Sequence, residues 1–144
     1  MKNILVFLIV ISFARCNHDD KIPKNHFGFI EKSGIYYLGN WNTIVVKDIE
    51  DNSEIFAVKD INNEILFQQT LNETFSNYHY WKMYVDKEGN IYYYNGDYQD
   101  SKALIWNKNE KKYHTVNFCF TKIELPLEFK KEISEHIDNC KSLK

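Results

Sequence analysis

The chain has 144 residues, of which 44% are hydrophobic and 26% are charged. This composition argues against a disordered chain and indicates one globular domain whose core can be stable without a metal ion. The formal net charge is −2 and the chain has no basic stripe, so nucleic acid is not an expected partner.

The N-terminus has the layout of a secretory signal. Lys2 precedes an uninterrupted apolar run over residues 4–11, and small residues follow the run. This order is typical of a cleaved export signal, and the run is shorter than the roughly 20 apolar residues that a membrane-spanning helix needs. We therefore predict a signal over residues 1–16, a polar tether over residues 17–25 and a single domain over residues 26–144.

Cys16 lies directly after this apolar run, and polar residues follow it. The arrangement resembles the signal peptide of bacterial lipoproteins, in which the cysteine after the apolar core becomes the acylated first residue of the mature protein. The pair Asp19–Asp20 is similar to the acidic tags of some Gram-negative surface lipoproteins, whereas Arg15 stands where that family normally has a small residue. The resemblance implies that Cys16 is lipidated and that several acyl chains hold the protein at a membrane. Simple cleavage, giving a secreted or periplasmic protein, is the alternative.

The sequence pattern in the first half of the domain predicts short strands separated by turns. Each segment is rich in β-branched or aromatic residues and is bounded by Gly, Asn or Asp. We expect residues 27–31 and 35–38 to form a hairpin. The further predicted strands of this half are residues 43–47, 55–59 and 65–69.

Residues 78–107 form the most aromatic stretch, with nine Trp or Tyr among thirty residues. The turn-forming runs 86–90 and 95–97 divide it into three strands, as in an antiparallel meander. Residues at alternate positions from Trp81 to Val85 are apolar, which predicts one packed and one solvated face. The last strand is predicted at residues 113–118.

A C-terminal helix completes the predicted fold. Pro126 suits a first helical position, and Phe129, Ile133 and Ile137 recur every fourth residue. The fold class is therefore mainly β: a single antiparallel meander of about eight strands, as a sandwich or an open barrel, with one C-terminal α-helix.

The cysteine count agrees with export. Of the three cysteines, Cys16 is removed from the count by lipidation or by cleavage after it. Cys119 and Cys140 then remain as a predicted disulfide in an oxidising compartment, and two unpaired thiols are the alternative.

No metal or cofactor motif fits the sequence. The five histidines are scattered, without the four-residue helical spacing of zinc proteases. Residues 86–90 place oxygen-bearing side chains at alternate positions, as in a calcium loop, but Ile91 occupies the position that requires glycine. A looser calcium site at Asp97 and Asp100 is less expected than a solvated turn. We predict no cofactor and no metal.

Catalysis likewise has little support. His114 and Cys119 are five residues apart on one predicted strand and so point to opposite faces. The remaining enzyme hypothesis is a small extracytoplasmic hydrolase whose carboxylates, for example Glu50, Asp60 and Asp97, are brought together by folding.

Tyrosines suggest a binding role. Tyr84, Tyr92, Tyr94 and Tyr98 are predicted to form a solvent-facing platform for a glycan or a protein partner, and cross-strand aromatic packing is the alternative. We expect an exported, lipid-anchored cell-envelope protein that acts by binding or structural interaction and not by catalysis. A further alternative is an inhibitor or immunity-type protein that binds a partner protein.

Overall fold

The computed structural model describes residues 24–144, in which ten strands form two antiparallel sheets beside one α-helix. This confirms the predicted mainly β class with a C-terminal helix, with ten strands in place of about eight. The proposed lipidation site Cys16 and the predicted signal lie outside the described residues. The strands are β1 (Gly28–Ile30), β2 (Gly34–Tyr37), β3 (Thr43–Ile49), β4 (Ser53–Lys59), β5 (Ile65–Gln68), β6 (Phe75–Ser76), β7 (Trp81–Val85), β8 (Ile91–Asn95), β9 (Asp100–Asn107) and β10 (Lys112–Asn117).

Each sheet is built around a four-stranded meander. The helix-covered sheet has the order β1-β7-β8-β9-β10, and the open sheet has the order β2-β3-β4-β5 with β6 beside β4. The turns after β2, β4, β7 and β9 lie at one end of the sandwich, which we call the hairpin end. Two of these turns share one plan, because the first residue, Asp60 or Asp86, accepts hydrogen bonds from backbone N–H groups within its own turn.

The predicted hairpin between residues 27–31 and 35–38 is wrong. β1 pairs with β7, whereas β2 pairs with β3, so the chain passes from one sheet to the other between them. Pairing with β7 places Ile30 opposite Met83, and both side chains are fully buried. Because β1 gains this buried contact by pairing with β7, it lies in a different sheet from β2, although the two strands are close in sequence.

The main core lies between the two sheets. Tyr93 of β8 is its largest side chain, and Phe56 and Phe75 lie edge-on to the Tyr93 ring at 5.3 and 5.8 Å. Met83 and Val85 face this core, as the alternation predicted. The buried residues of this cluster are Ile30, Leu38, Ile44, Val46, Phe56, Val58, Phe75, Met83, Val85, Ile91, Tyr93 and Leu104.

The opposite face of the helix-covered sheet is not solvated as predicted. The C-terminal segment folds back over it and buries a second cluster against Phe118, Phe129 and Ile133. Helix α1 (Leu127–Ile133) begins directly after Pro126 and ends before Ile137, which packs against the same cluster from beyond the helix. Both faces of this sheet are therefore packed. The helix of the described chain is too short to cross a membrane.

The predicted disulfide is present. Cys119, just after β10, is bonded to Cys140 at an S–S distance of 2.07 Å, with 21 residues of sequence separation. Cys140 is buried, and the backbone N–H of Lys141 donates to the carbonyl of Cys119 at 3.1 Å. The bond therefore ties the end of the C-terminal segment to the sheet that it covers.

The disulfide should contribute substantially to stability. We expect the double variant Cys119→Ser/Cys140→Ser of the mature chain to lose about 3 kcal/mol of unfolding free energy, since a loop of this length is no longer closed in the unfolded chain. Urea unfolding followed by tyrosine and tryptophan fluorescence measures the loss. A reducing agent should destabilise the unsubstituted protein but not the double variant. If the two proteins are equally stable without a reducing agent, the prediction is wrong.

Candidate functional site

The predicted tyrosine platform is not solvent-facing. Tyr92 and Tyr94 are only 5% and 6% exposed, because the C-terminal segment covers them, and Tyr84 packs against the same cluster. The hydroxyl of Tyr94 donates to the carbonyl of His136 at 3.0 Å, which fixes the segment to the sheet. Only Tyr98, in the turn after β8, is largely exposed. The alternative of aromatic packing describes the first three tyrosines.

The three carboxylates of the hydrolase hypothesis are not brought to one place. Asp60 lies at the hairpin end, whereas Glu50 and Asp97 lie in turns at the opposite end of the sandwich. No three His, Cys, Asp or Glu side chains within residues 24–144 are arranged to hold a metal ion.

Two acidic pairs do lie close together, each bridged by a lysine. Lys82 contacts Glu31 at 3.2 Å and Glu132 at 3.3 Å, and Lys102 bridges a second, less exposed pair. Lys102 contacts Asp100 at 2.7 Å and Glu73 at 3.0 Å. Burial raises the pKa of Asp100, and the hydrogen bond and charge of Lys102 oppose that rise. The ion pairs of Lys102 attach β9 to the connection before β6, and we interpret them as a structural contact.

Exposed apolar side chains concentrate instead on the open sheet. Within residues 24–144, no segment covers its outer face as the C-terminal segment covers the other sheet. Five of the eleven large hydrophobic side chains exposed within the described chain lie on this face or in its turns. They are Ile35, Tyr37, Trp41, Ile61 and Ile65.

Trp41 and Ile61 lie between two grooves and line both of them. They are the most exposed of the five, at 79% and 77%. The sheet groove, about 690 Å³, runs over β2 and β3 past Tyr37 and Val45. The turn groove, about 720 Å³, lies between the hairpin-end turns and is bounded by Trp106. We call Trp41, Ile61 and these two grooves the Trp41 site.

Trp41 is held outward by an unusual backbone conformation. Its φ of 69° lies in the left-handed region, which bulky side chains rarely adopt and which costs of order 1–3 kcal/mol. Within residues 24–144 it is the only aromatic residue with positive φ, and four of the other six non-glycine residues in this region are Asn or Asp. The turn is closed by two backbone hydrogen bonds, from Leu38 N–H to the Asn42 carbonyl and from Trp41 N–H to the Leu38 carbonyl.

Asn40 anchors this turn to the other sheet. Its side-chain amide donates to the Tyr113 hydroxyl at 2.8 Å, and that hydroxyl donates to the Gly89 carbonyl at 2.9 Å. The Asn40 side-chain oxygen also accepts the N–H of Asn42 at 3.1 Å. Burial raises the pKa of Tyr113, while hydrogen bonds from Asn42 and Asn40 oppose the rise, so the hydroxyl stays protonated and can donate.

The close approach of the Asn40 side chain to the β7–β8 turn also explains why residue 89 is a glycine. A Cβ added at Gly89, which has a φ of 81°, would lie 2.6 Å from the Asn40 side chain. Both the conformation and the close approach therefore require glycine at this position.

The Trp41 site is basic within an acidic chain. Lys59, Lys108 and Lys111 line the two grooves, and none of them forms an ion pair within the described part of the chain. Asp60 is the one acidic residue among the linings, and its carboxylate already accepts the N–H groups of Asn62 and Glu64. Three lysines against one aspartate give the lining of the site a formal net charge of +2.

The sequence predicted a turn between the strands at residues 35–38 and 43–47 but did not mark Trp41 or Ile61 as site residues. A signal was present, because each is a large apolar residue inside a run of Gly, Asn and Asp that forms a turn. No family model, curated protein or solved structure matches the chain.

The strain at Trp41 gives a stability test. We expect Trp41→Gly to raise the free energy of unfolding by about 1 kcal/mol, because glycine adopts positive φ without steric cost. Urea unfolding measures the change. Tyr78→Gly is the matched control, since Tyr78 is 77% exposed but does not have a positive φ; that variant should not be stabilised. A loss of stability in Trp41→Gly would show that the indole serves the fold.

Proposed function

We propose that this protein is an exported, lipid-anchored binding protein of the cell envelope that docks a partner protein at the Trp41 site. The supporting observation is Trp41 itself, a large indole held in solvent by a strained turn. Strain of this kind persists where the surrounding structure enforces it, and it is concentrated at functional sites. Trp is also the side chain most enriched among residues that dominate protein interfaces.

The surroundings of Trp41 favour a protein partner. Ile35, Ile61 and Ile65 provide aliphatic surface, which suits apolar side chains. The inhibitor or immunity-type hypothesis is one form of this function, in which the partner is a toxic protein. The hydrolase hypothesis has weaker support, because its proposed acids lie at opposite ends of the sandwich.

The export half of the proposal is tested by intact mass. We expect the mature protein from its native host to begin at Cys16 and to carry the additional mass of acyl chains. Cys16→Ser should abolish the acyl mass and release the protein from the membrane fraction. An unprocessed chain that still contains residues 1–15 would contradict export by this signal, and a free N-terminus after cleavage would contradict lipidation alone.

The binding half is tested by site-specific crosslinking in native cells. A photo-crosslinking amino acid at position 61, beside Trp41 in both grooves, should give a discrete crosslinked species. The substitution Trp41→Ala in the same chain should remove it, because it deletes the indole on which the proposed contact depends. A probe at position 78, equally exposed but distant from the site, is the control. Identical products from both positions, or a product insensitive to Trp41→Ala, would contradict docking at this site.

A further inference from the structure

We infer that the Trp41 site takes an extended segment of the partner protein in which apolar side chains lie beside carboxylates. The inference rests on the proposed function and specifies the partner's chemistry. The sheet groove follows the outer face of β2 and β3, where Ile35 is paired with Val45 and Tyr37 with Thr43. Side chains on one face of a strand repeat every second residue. An extended segment lying along this face meets these rows at the same spacing.

The apolar half of the recognition lies along the sheet groove and at its junction with the turn groove. Ile35 is 61% exposed and Tyr37 is 42% exposed, and Trp41 and Ile61 complete the apolar surface. Leu66 and Trp106 extend it into the turn groove. The surface is continuous because Trp41 and Ile61 line both grooves.

The charged half comes from three lysines. Lys59 lies beside the sheet groove, and Lys108 and Lys111 lie beside the turn groove. The chain as a whole has a formal net charge of −2, so a local group of unpaired positive charges runs against its general balance. Carboxylates that flank apolar residues of the partner complement this arrangement.

A saccharide fits the site less well than a peptide. The polar side chains nearest Trp41 are already engaged within the protein: the Asn40 and Asn42 amides donate to the Tyr113 hydroxyl, and Asp60 accepts from its own turn. A ligand rich in hydroxyl groups would therefore find both asparagines that flank Trp41 already hydrogen-bonded within the protein, and a buried polar group without a partner is unfavourable. Peptide side chains that are apolar or anionic need only the indole, the aliphatic surface and the lysines.

The experiment is a selection of random displayed peptides on the full mature chain in detergent at low salt, with Trp41→Ala as the counter-selected protein. We expect enriched sequences to combine large apolar residues with Asp or Glu. A synthetic peptide of the enriched sequence should bind Trp41→Ala at least about tenfold more weakly, as for a central interface residue. The charge-reversed variant Lys108→Glu/Lys111→Glu should also weaken it, and added salt should reduce the difference.

Matched controls separate the site from general charge. Lys130→Glu/Lys131→Glu changes the same charge on α1, outside both grooves, and should leave the affinity unchanged. If the enriched peptides are neutral or basic and their binding depends on Trp41, the inference that the partner segment is acidic is wrong, but the proposed binding function is not contradicted. Absence of any enriched peptide overturns the inference as well, as does Trp41-dependent binding of an anionic polysaccharide such as alginate in its place. The crosslinking result then decides separately whether the site binds a protein at all.

Discussion

The hydrogen bonds that join Asn40, Tyr113 and Gly89 connect two of the four turns at the hairpin end, those after β2 and β7, to each other and to strand β10. Asn40 belongs to the open sheet, whereas Gly89 and Tyr113 belong to the two hairpins of the other sheet. These bonds fix the backbone of the turn that carries Trp41. A turn whose backbone is already ordered loses little backbone entropy on binding, which is one part of a preorganised contact.

The two sheets differ in what happens on their outer faces. The C-terminal segment covers one of them, and its attachment is redundant: the Cys119–Cys140 bond holds its end, and Tyr94 and Tyr80 donate hydrogen bonds to the carbonyls of His136 and Glu132. No comparable segment of the described chain covers the open sheet. The apolar side chains there are exposed within the described chain, and this asymmetry is our physical reason for proposing that binding occurs on the open sheet.

Local patterns predicted much of the fold because local chemistry determined it. The meander around Asp86 follows from turn residues whose side chains bond their own backbone, and the Cys119–Cys140 pair followed from the cysteine count. The errors came from non-local contacts. No local pattern shows that β1 pairs with β7, nor that Tyr92 and Tyr94 would be covered by residues more than thirty positions away. The meeting of Trp41 and Trp106 in one groove was not visible in the sequence for the same reason, since the packing of the two sheets brings them together.

Tryptophan is also an unfavourable residue for the backbone conformation at position 41, whereas natural sequences usually place residues in conformations that they favour. An Asn or Gly at this turn position would satisfy the backbone, and neighbouring turns of this chain use Asn63 and Gly89 at positive φ. A tryptophan there raises the conformational cost and adds exposed apolar surface, and neither effect favours folding or solubility. Natural sequences violate local rules of this kind mainly at functional sites, where another interaction compensates for the cost. Within residues 24–144 no contact compensates for this cost, because most of the Trp41 surface is in solvent, and for this reason we propose that the compensation comes from a binding partner.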